Sequence, residues 1–256
     1  MKKTILITGA TSGFGKAIAQ LFAAQCYHLI ITGRRSGRLN ILKSELENQA
    51  ASVTTLCFDV REKEAVKEAL LSIQDRTIDI LVNNAGLASG MSPIDEGNIS
   101  DWDLMIDTNI KGLLYVTKET LPLLRKSKTP HIFNIGSTAG KTAYRNGNVY
   151  CATKFAVDAL SQSMRIDLLP YGVKVTAINP GMAETEFSIV RFKGDEERAK
   201  NVYKDIKPLY AEDIANVVLF CATLPEHVCI NDLTLTCTNQ ANAIYTIRDS
   251  EKPKQL

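Results

Sequence analysis

Tyr150 and Lys154 are the residues in this sequence whose types and spacing could perform acid–base chemistry. Four positions apart on a helix, two side chains lie one above the other on the same face. A free phenol has a pKa of about 10 and exchanges protons poorly near pH 7. A neighbouring ammonium favours the phenolate and lowers that pKa. The pair would therefore make a general acid/base from a weak candidate. Tyr-x-x-x-Lys alone also describes an ordinary surface pair, so its meaning rests on the elements that carry it.

Those elements alternate between strand and helix from one end of the chain to the other. Short apolar or β-branched runs predict buried strands at residues 4–8, 28–32, 53–58, 79–82, 131–135, 173–178 and 232–236. After the first strand Ala17, Ile18, Leu21 and Phe22 share one helical face. Further helices are expected to about Gln49, over 61–72, from Ser100 past Asn109 to Arg125, from Tyr150 to near Tyr171, and over 212–223. This alternation predicts the α/β class: a single Rossmann-type doubly wound domain over residues 1–256, with a mostly parallel seven-stranded sheet. Residues 182–211 are less regular and are expected to cover the active site, and the charged tail 248–256 is expected to fray.

Composition narrows the class further. Hydrophobic content of 45% and charged content of 23% are ordinary for a globular chain of 256 residues. A net charge of +2, with basic residues spread along the chain, argues against nucleic-acid or membrane partners. The 6 cysteines form no Cys-x-x-Cys and are expected to be reduced and mostly buried. The apolar run after Lys3 stops at Gly9, too short for a secretory signal, and no stretch approaches the ~20 apolar residues of a membrane span. A cytoplasmic location is expected.

Several strand ends carry residues suited to ligands. The first runs into Gly9-Ala10-Thr11-Ser12-Gly13-Phe14-Gly15 and then a helix. Exposed amides and the helix dipole favour phosphate there, and glycines permit a tight turn and close backbone approach. The spacing is Gly-x-x-x-Gly-x-Gly, and the plain alternative is a simple strand–helix turn. The second strand ends in Gly33-Arg34-Arg35, with no acid before Glu45. An acid at this point would suit the ribose 2′-hydroxyl of NAD, whereas cations suit a 2′-phosphate, so NADP is the expected cofactor. Asp59, followed by Val60, could accept from an adenine amino group or cap the next helix. Asn83 and Asn84 could pin neighbouring backbone or contact the cofactor. Asn109 interrupts a periodic helix, and Ser137 follows the fifth strand, where ligands bind in open α/β sheets. His28, His131 and His227 are scattered, and no metal is expected.

The ordered set of residues 8–15, Asp59-Val60, Asn83-Asn84-Ala85-Gly86, Asn109, Ser137, Tyr150-x-x-x-Lys154 and Pro180-Gly181 resembles the short-chain dehydrogenase/reductase family over nearly the whole chain. A narrower resemblance is to the NADP-dependent 3-hydroxy acid dehydrogenases, serine 3-dehydrogenases included. It rests on Gly33-Arg34-Arg35 with Arg38-Leu39, Gly86-Leu87-Ala88, Ile106-Asp107-Thr108-Asn109, residues 134–140 and Gly147-Asn148-Val149-Tyr150. Thr185-Glu186-Phe187-Ser188 and residues 190–195 extend it into the covering segment. The resemblance implies Tyr150 as acid/base, Lys154 lowering its pKa and holding the nicotinamide ribose, Ser137 donating to the substrate oxygen, and Asn109 placing a water behind Lys154. It implies NADP contacts from Gly9, Thr11, Ser12, Gly13, Phe14, Gly15, Arg34, Arg35, Asp59, Val60, Asn83, Asn84, Tyr150, Lys154, Pro180, Gly181 and Thr185. It also implies a homotetramer, for which Leu113, Leu114, Leu121, Leu160 and Met164 would suit, though a monomer core would use the same stripe.

The implied reaction is oxidation of the 3-hydroxyl of small hydroxy acids. A carboxylate substrate needs a cation, and Arg191 and Lys193 fall in the covering segment; loop charges on the surface are the plain alternative. Glu184 and Glu186 could bind a substrate amine or cap a short helix. A carbonyl reductase for neutral ketones, aldehydes or diketones would use the same four residues, Asn109, Ser137, Tyr150 and Lys154. A nucleotide-binding regulator without turnover would share the fold, but has no need of the Asn109, Ser137, Tyr150 and Lys154 set.

Overall fold

The computed structural model describes residues 2–253. Seven strands form one sheet: β1 (Thr4–Ile7), β2 (His28–Gly33), β3 (Ser52–Cys57), β4 (Ile80–Asn83), β5 (His131–Ile135), β6 (Lys174–Pro180) and β7 (Asp232–Leu235). Their order is β3-β2-β1-β4-β5-β6-β7, and every pairing is parallel, where a mostly parallel sheet was expected. Parallel neighbours need a crossover, so helices must cover both faces. The order reverses between β1 and β4, which opens a crevice beyond the carboxyl ends of the strands.

Helices α1 (Gly13–Ala24), α2 (Ser36–Leu46) and α9 (Ala211–Ala222) cover one face. Helices α3 (Lys63–Leu71), α5 (Leu113–Leu124) and α6 (Asn148–Leu168) cover the other. The two-residue period of a strand divides its side chains between these layers. In β1, Ile5 and Ile7 join the first cluster with Ile18, Phe22 and Val218, while Leu6 joins the second with Val66, Val116 and Val157. Full burial of each such side chain contributes roughly 1.5–3 kcal/mol.

The sequence reads 100–125 as one helix, but it folds as α4 (Ile99–Ile106), a π-helical turn (Asp107–Gly112) and then α5. The widened turn brings Thr108 and Asn109 inward and presses Gly112 onto the loop after β3; a Cβ there would lie 2.7 Å from Val60 Cγ2. Asp59 does not cap α3. Glu62 occupies that position, because Asp59 is drawn onto Arg61, accepting from its backbone N–H and its guanidinium.

Residues 182–211 contain two short helices, α7 (Glu186–Arg191) and α8 (Glu196–Asn201), and a bridge between Ala183 and Leu209 closes the base of the segment. The tail is better held than expected. Asp249–Glu251 forms a capped turn, and Asn239 donates to Asp249 at 2.9 Å; residues 254–256 lie outside the described residues. Leu113 and Met164, read as interface candidates, are buried in the core, and Leu121 and Leu160 pack against it; only Leu114 of that set is exposed. Of the thiols, Cys151, Cys221 and Cys237 are buried, whereas Cys26 and Cys57 are exposed because they sit after a helix and at a strand end.

Candidate active site

The crevice at the strand ends is a cavity of about 540 Å³. Its floor comes from the turn after β1 (Gly9, Thr11, Ser12, Gly13, Phe14), the ends of β2 and β3 (Arg34, Arg35, Asp59, Val60), the loop after β4 (Asn84) and the ends of β5 and β6 (Ser137, Pro180, Gly181). Its roof is the covering segment, through Thr185, Glu186, Phe187, Val190 and Arg191. Gly9 turns the chain with φ +65°, a region costly to other residues. Ser12 is the N-cap of α1 but makes no side-chain cap bond, so amides at the helix start face the cavity without that partner. Asn84 donates to Thr8 and Gly9 carbonyls at 2.8 and 3.2 Å and so holds the turn against β4.

Tyr150 and Lys154 both line the cavity and both are buried. Burial is the main influence on Tyr150 and, with the nearby Tyr144, pushes the phenol up; Ser137 and Arg191 pull in the opposite direction. Burial lowers Lys154 to about 8. The Lys154 ammonium donates to the Ile135 carbonyl at 2.9 Å and lies 5.9 Å from the Tyr150 ring centre. Arg191 is the cation that lowers the Tyr150 phenol, with its guanidinium carbon 5.4 Å from the ring centre. Ser137 accepts from the Ala139 N–H at 3.1 Å, beside Tyr150.

A family model described as short chain dehydrogenase matches residues 3–196. The chain belongs to this family. This short-chain dehydrogenase is 46% identical over 249 residues to the NADP-dependent 3-hydroxy acid dehydrogenase of Salmonella typhi, across 96% of the chain and 99% of that relative. It is likewise 46% identical over 249 residues to the serine 3-dehydrogenase of Rhizobium radiobacter, across 96% and 98%. A solved structure, the closed form of a serine dehydrogenase complexed with NADP+, superposes with a TM-score of 0.90 at 45% identity, covering 96% of this chain and 99% of that one.

Four residues expected in the dehydrogenase site do not line its cavity. Asn83 faces the sheet interior, where it donates to Thr117 and Asn134 at 2.9 Å each; the next residue, Asn84, in the loop after β4, turns toward the crevice instead. Gly15 is a packing residue of α1, since a Cβ there would lie 2.4 Å from the Gly9 carbonyl oxygen. Asn109 sits behind the cavity wall: it accepts from the Leu87 N–H at 2.8 Å and donates to the Leu87 carbonyl and the Thr153 hydroxyl at 2.8 and 3.0 Å. Glu184 is exposed, and neither it nor Glu186 caps α7. Thr185 does, because its shorter side chain reaches the Phe187 N–H at 3.2 Å.

Of the covering-segment cations, Arg191 enters the cavity and Lys193 does not. Lys193 pairs with Asp101 at 2.8 Å. Arg191 donates to the Tyr144 hydroxyl, while its Nε is buried without a partner among the described residues. Sequence reasoning missed Tyr144, and it carried Leu87 and Phe187 only inside matching stretches, without a role for either. Tyr144 had one available signal, an aromatic residue six positions before Tyr150, but its contact with Arg191 spans 47 residues.

The residues present fit NADP: an open helix N-terminus beneath a glycine turn, two arginines at the end of β2, and Lys154 with Tyr150 across the crevice. Asp59 fits a polar adenine contact less freely than expected. Burial raises its carboxyl, but the bonds and charge of Arg61, with Arg34, outweigh this and hold it below the usual range. Among the described residues no group of three or more His, Cys, Asp or Glu is placed to hold a metal ion.

Proposed function

We propose that this protein oxidises the 3-hydroxyl of small 3-hydroxy acids, serine and 3-hydroxybutanoate-like acids included, with NADP as acceptor. The observation that carries this reading is Arg191: a guanidinium delivered by the cover into the cavity, beside Tyr150, with a buried N–H awaiting an acceptor. A substrate carboxylate would satisfy that donor, because guanidinium matches carboxylate geometry. Tyr144, already bonded to Arg191, holds the guanidinium in place.

The bound dinucleotide supplies hydride transfer. Tyr150 takes the proton of the substrate hydroxyl in oxidation and returns it in carbonyl reduction. Ser137, whose hydroxyl donates to the Pro180 carbonyl at 3.4 Å, would turn to donate to the same oxygen and stabilise the charge that develops there. Lys154, positively charged below about pH 8 and anchored on the Ile135 carbonyl, would hold the cofactor's ribose and favour the phenolate through space. The covering segment, with Phe187 and Val190, excludes water.

The direct test is absorbance at 340 nm with NADP+ or NAD+ and L-serine, D-serine, 3-hydroxybutanoate, 3-hydroxypropanoate or a neutral secondary alcohol. Reduction of NADP+ by the acids is expected. Arg191→Ala should raise KM for the acids about 10-fold or more while leaving a neutral alcohol within about twofold. Equal effects on both would remove Arg191 from substrate recognition. The apolar wall of Leu87, Met91, Phe187 and Val190 favours a second reading, reduction of neutral ketones or aldehydes, and turnover of neutral substrates alone would select it.

The assembly we propose is a homotetramer in the cytoplasm. Leu114 on α5 and Phe155 and Ile166 on α6 are 38%, 44% and 74% exposed, and the six thiols are free, as a reducing compartment requires. Light scattering should give four chains per particle, and Phe155→Asp should lower that number; an unchanged mass would place the interface elsewhere.

A further inference from the structure

The sequence has no acid at the end of β2, yet the fold brings one there. Glu186, the first residue of α7, accepts from Arg38 Nη1 at 3.0 and 3.2 Å and lies 3.8 Å from Arg35 Nη1. Arg35 in turn donates to the Thr11 hydroxyl at 2.9 Å. Three elements are thus joined: the glycine turn, the start of α2 and the start of the cover. Glu186, Arg34, Arg35 and Thr11 line the same end of the same cavity. Asp59, the other nearby anion, is occupied by Arg61 at 2.7 Å and stands 3.6 Å from Arg34.

The side chains of Arg35, Arg38 and Glu186 are 47%, 46% and 46% exposed, so these ion pairs add little to folding. Their place matters more than their strength. An anion arriving at Arg34 and Arg35 meets a carboxylate that already neutralises the neighbouring guanidinia. A 2′-phosphate bears about 1.5 to 2 negative charges at pH 7 and is repelled by that carboxylate, whereas a 2′-hydroxyl is not.

We propose that Glu186 tempers the cofactor selectivity of this dehydrogenase, acting as a counter-anion on the cover that competes with the 2′-phosphate of NADP for Arg35, the guanidinium of the Arg35 and Arg38 pair that lines the cavity. The cover and the 2′-phosphate therefore draw on the same guanidinium, Arg35, and an acid that the chain places far from β2 moderates the preference that Arg34 and Arg35 create. The proposal rests on the assignment of NADP to this cavity.

Fluorescence titration of NADPH and NADH against wild type and Glu186→Gln tests it without turnover. The variant should bind NADPH about three- to fivefold more tightly and NADH within about twofold of wild type. Raising salt from about 20 to 300 mM should shrink the NADPH gain, since exposed charges are screened. Adding Arg35→Gln to Glu186→Gln should abolish that gain, because Arg35 is the cavity guanidinium that Glu186 releases. Unchanged or weaker NADPH binding by a folded Glu186→Gln overturns the proposal. Failure of wild type to bind NADPH overturns the cofactor assignment itself, and the proposal with it.

Discussion

At the scale of single residues, Tyr150 is an acid held by its surroundings in the protonated form. Burial pushes its pKa up, and Tyr144 adds to the shift. Reduction of a carbonyl needs the protonated phenol, so it should proceed at neutral pH. Oxidation needs the phenolate, so its kcat/KM should rise from pH 7 to 9 while the reductive rate stays level or falls. In the proposed mechanism the Lys154 cation assists the phenolate below about pH 8, and above it that assistance fades, which should flatten the rise. Paired pH–rate profiles check this, and an oxidative rate that falls with pH would remove Tyr150 as base. Tyr150→Phe should lose about 10²- to 10⁴-fold in turnover while keeping NADPH affinity within a few-fold.

At the scale of elements, the π-helical turn between α4 and α5 decides what Asn109 can do. In a regular helix Asn109 would be one polar interruption of an apolar stripe. The widened turn places it where its amide closes on both backbone groups of Leu87 and on Thr153 of α6. The loop after β4 is thereby fastened to the helix that carries Tyr150 and Lys154. Asn109→Ala leaves the buried N–H and C=O of Leu87 without this partner and should cost about 2–4 kcal/mol in a denaturant titration. Loss of activity with unchanged stability would instead favour a role in proton movement. Helix existence was legible from apolar spacing, but the π turn was not, because a single widened turn carries no residue-type signature of its own.

At the scale of the whole molecule, stability in acid is tied to the centre of the sheet. His131, in β5, lies 2.8 Å from the Thr176 hydroxyl, which gives its proton to the Ile230 carbonyl. The hydroxyl must then accept from His131 Nε2–H, leaving Nδ1 bare and buried without a partner among the described residues. Burial, with the charges of Lys174 and Lys3, lowers the imidazole from 6.5 to about 3. The folded state thus disfavours the proton that the unfolded chain binds below pH 6.5. Stability is full above that value and falls as pH drops toward 3, by on the order of 2–3 kcal/mol at pH 4.5. Urea titrations between pH 7 and 4.5 should show this decline, and His131→Phe should flatten it; an unchanged slope would assign the acid sensitivity to other groups.

The sequence by itself determined whatever depends on local period and on residue type at strand ends. Runs such as 4–8 and 131–135 are apolar because parallel strands are buried on both faces, so all seven strands were legible, and so was the crevice at their carboxyl ends. The Gly9–Gly15 turn, Arg34 with Arg35, and Tyr150 with Lys154 are also local patterns. Only the tertiary structure decided that Asn84 faces the crevice and Asn83 the interior, that Arg191 enters the site while Lys193 is held by Asp101, and that Glu186 returns to the end of β2. These outcomes turn on contacts between residues far apart in the chain, and sequence period carries no record of which distant side chains a fold will place within hydrogen-bonding reach.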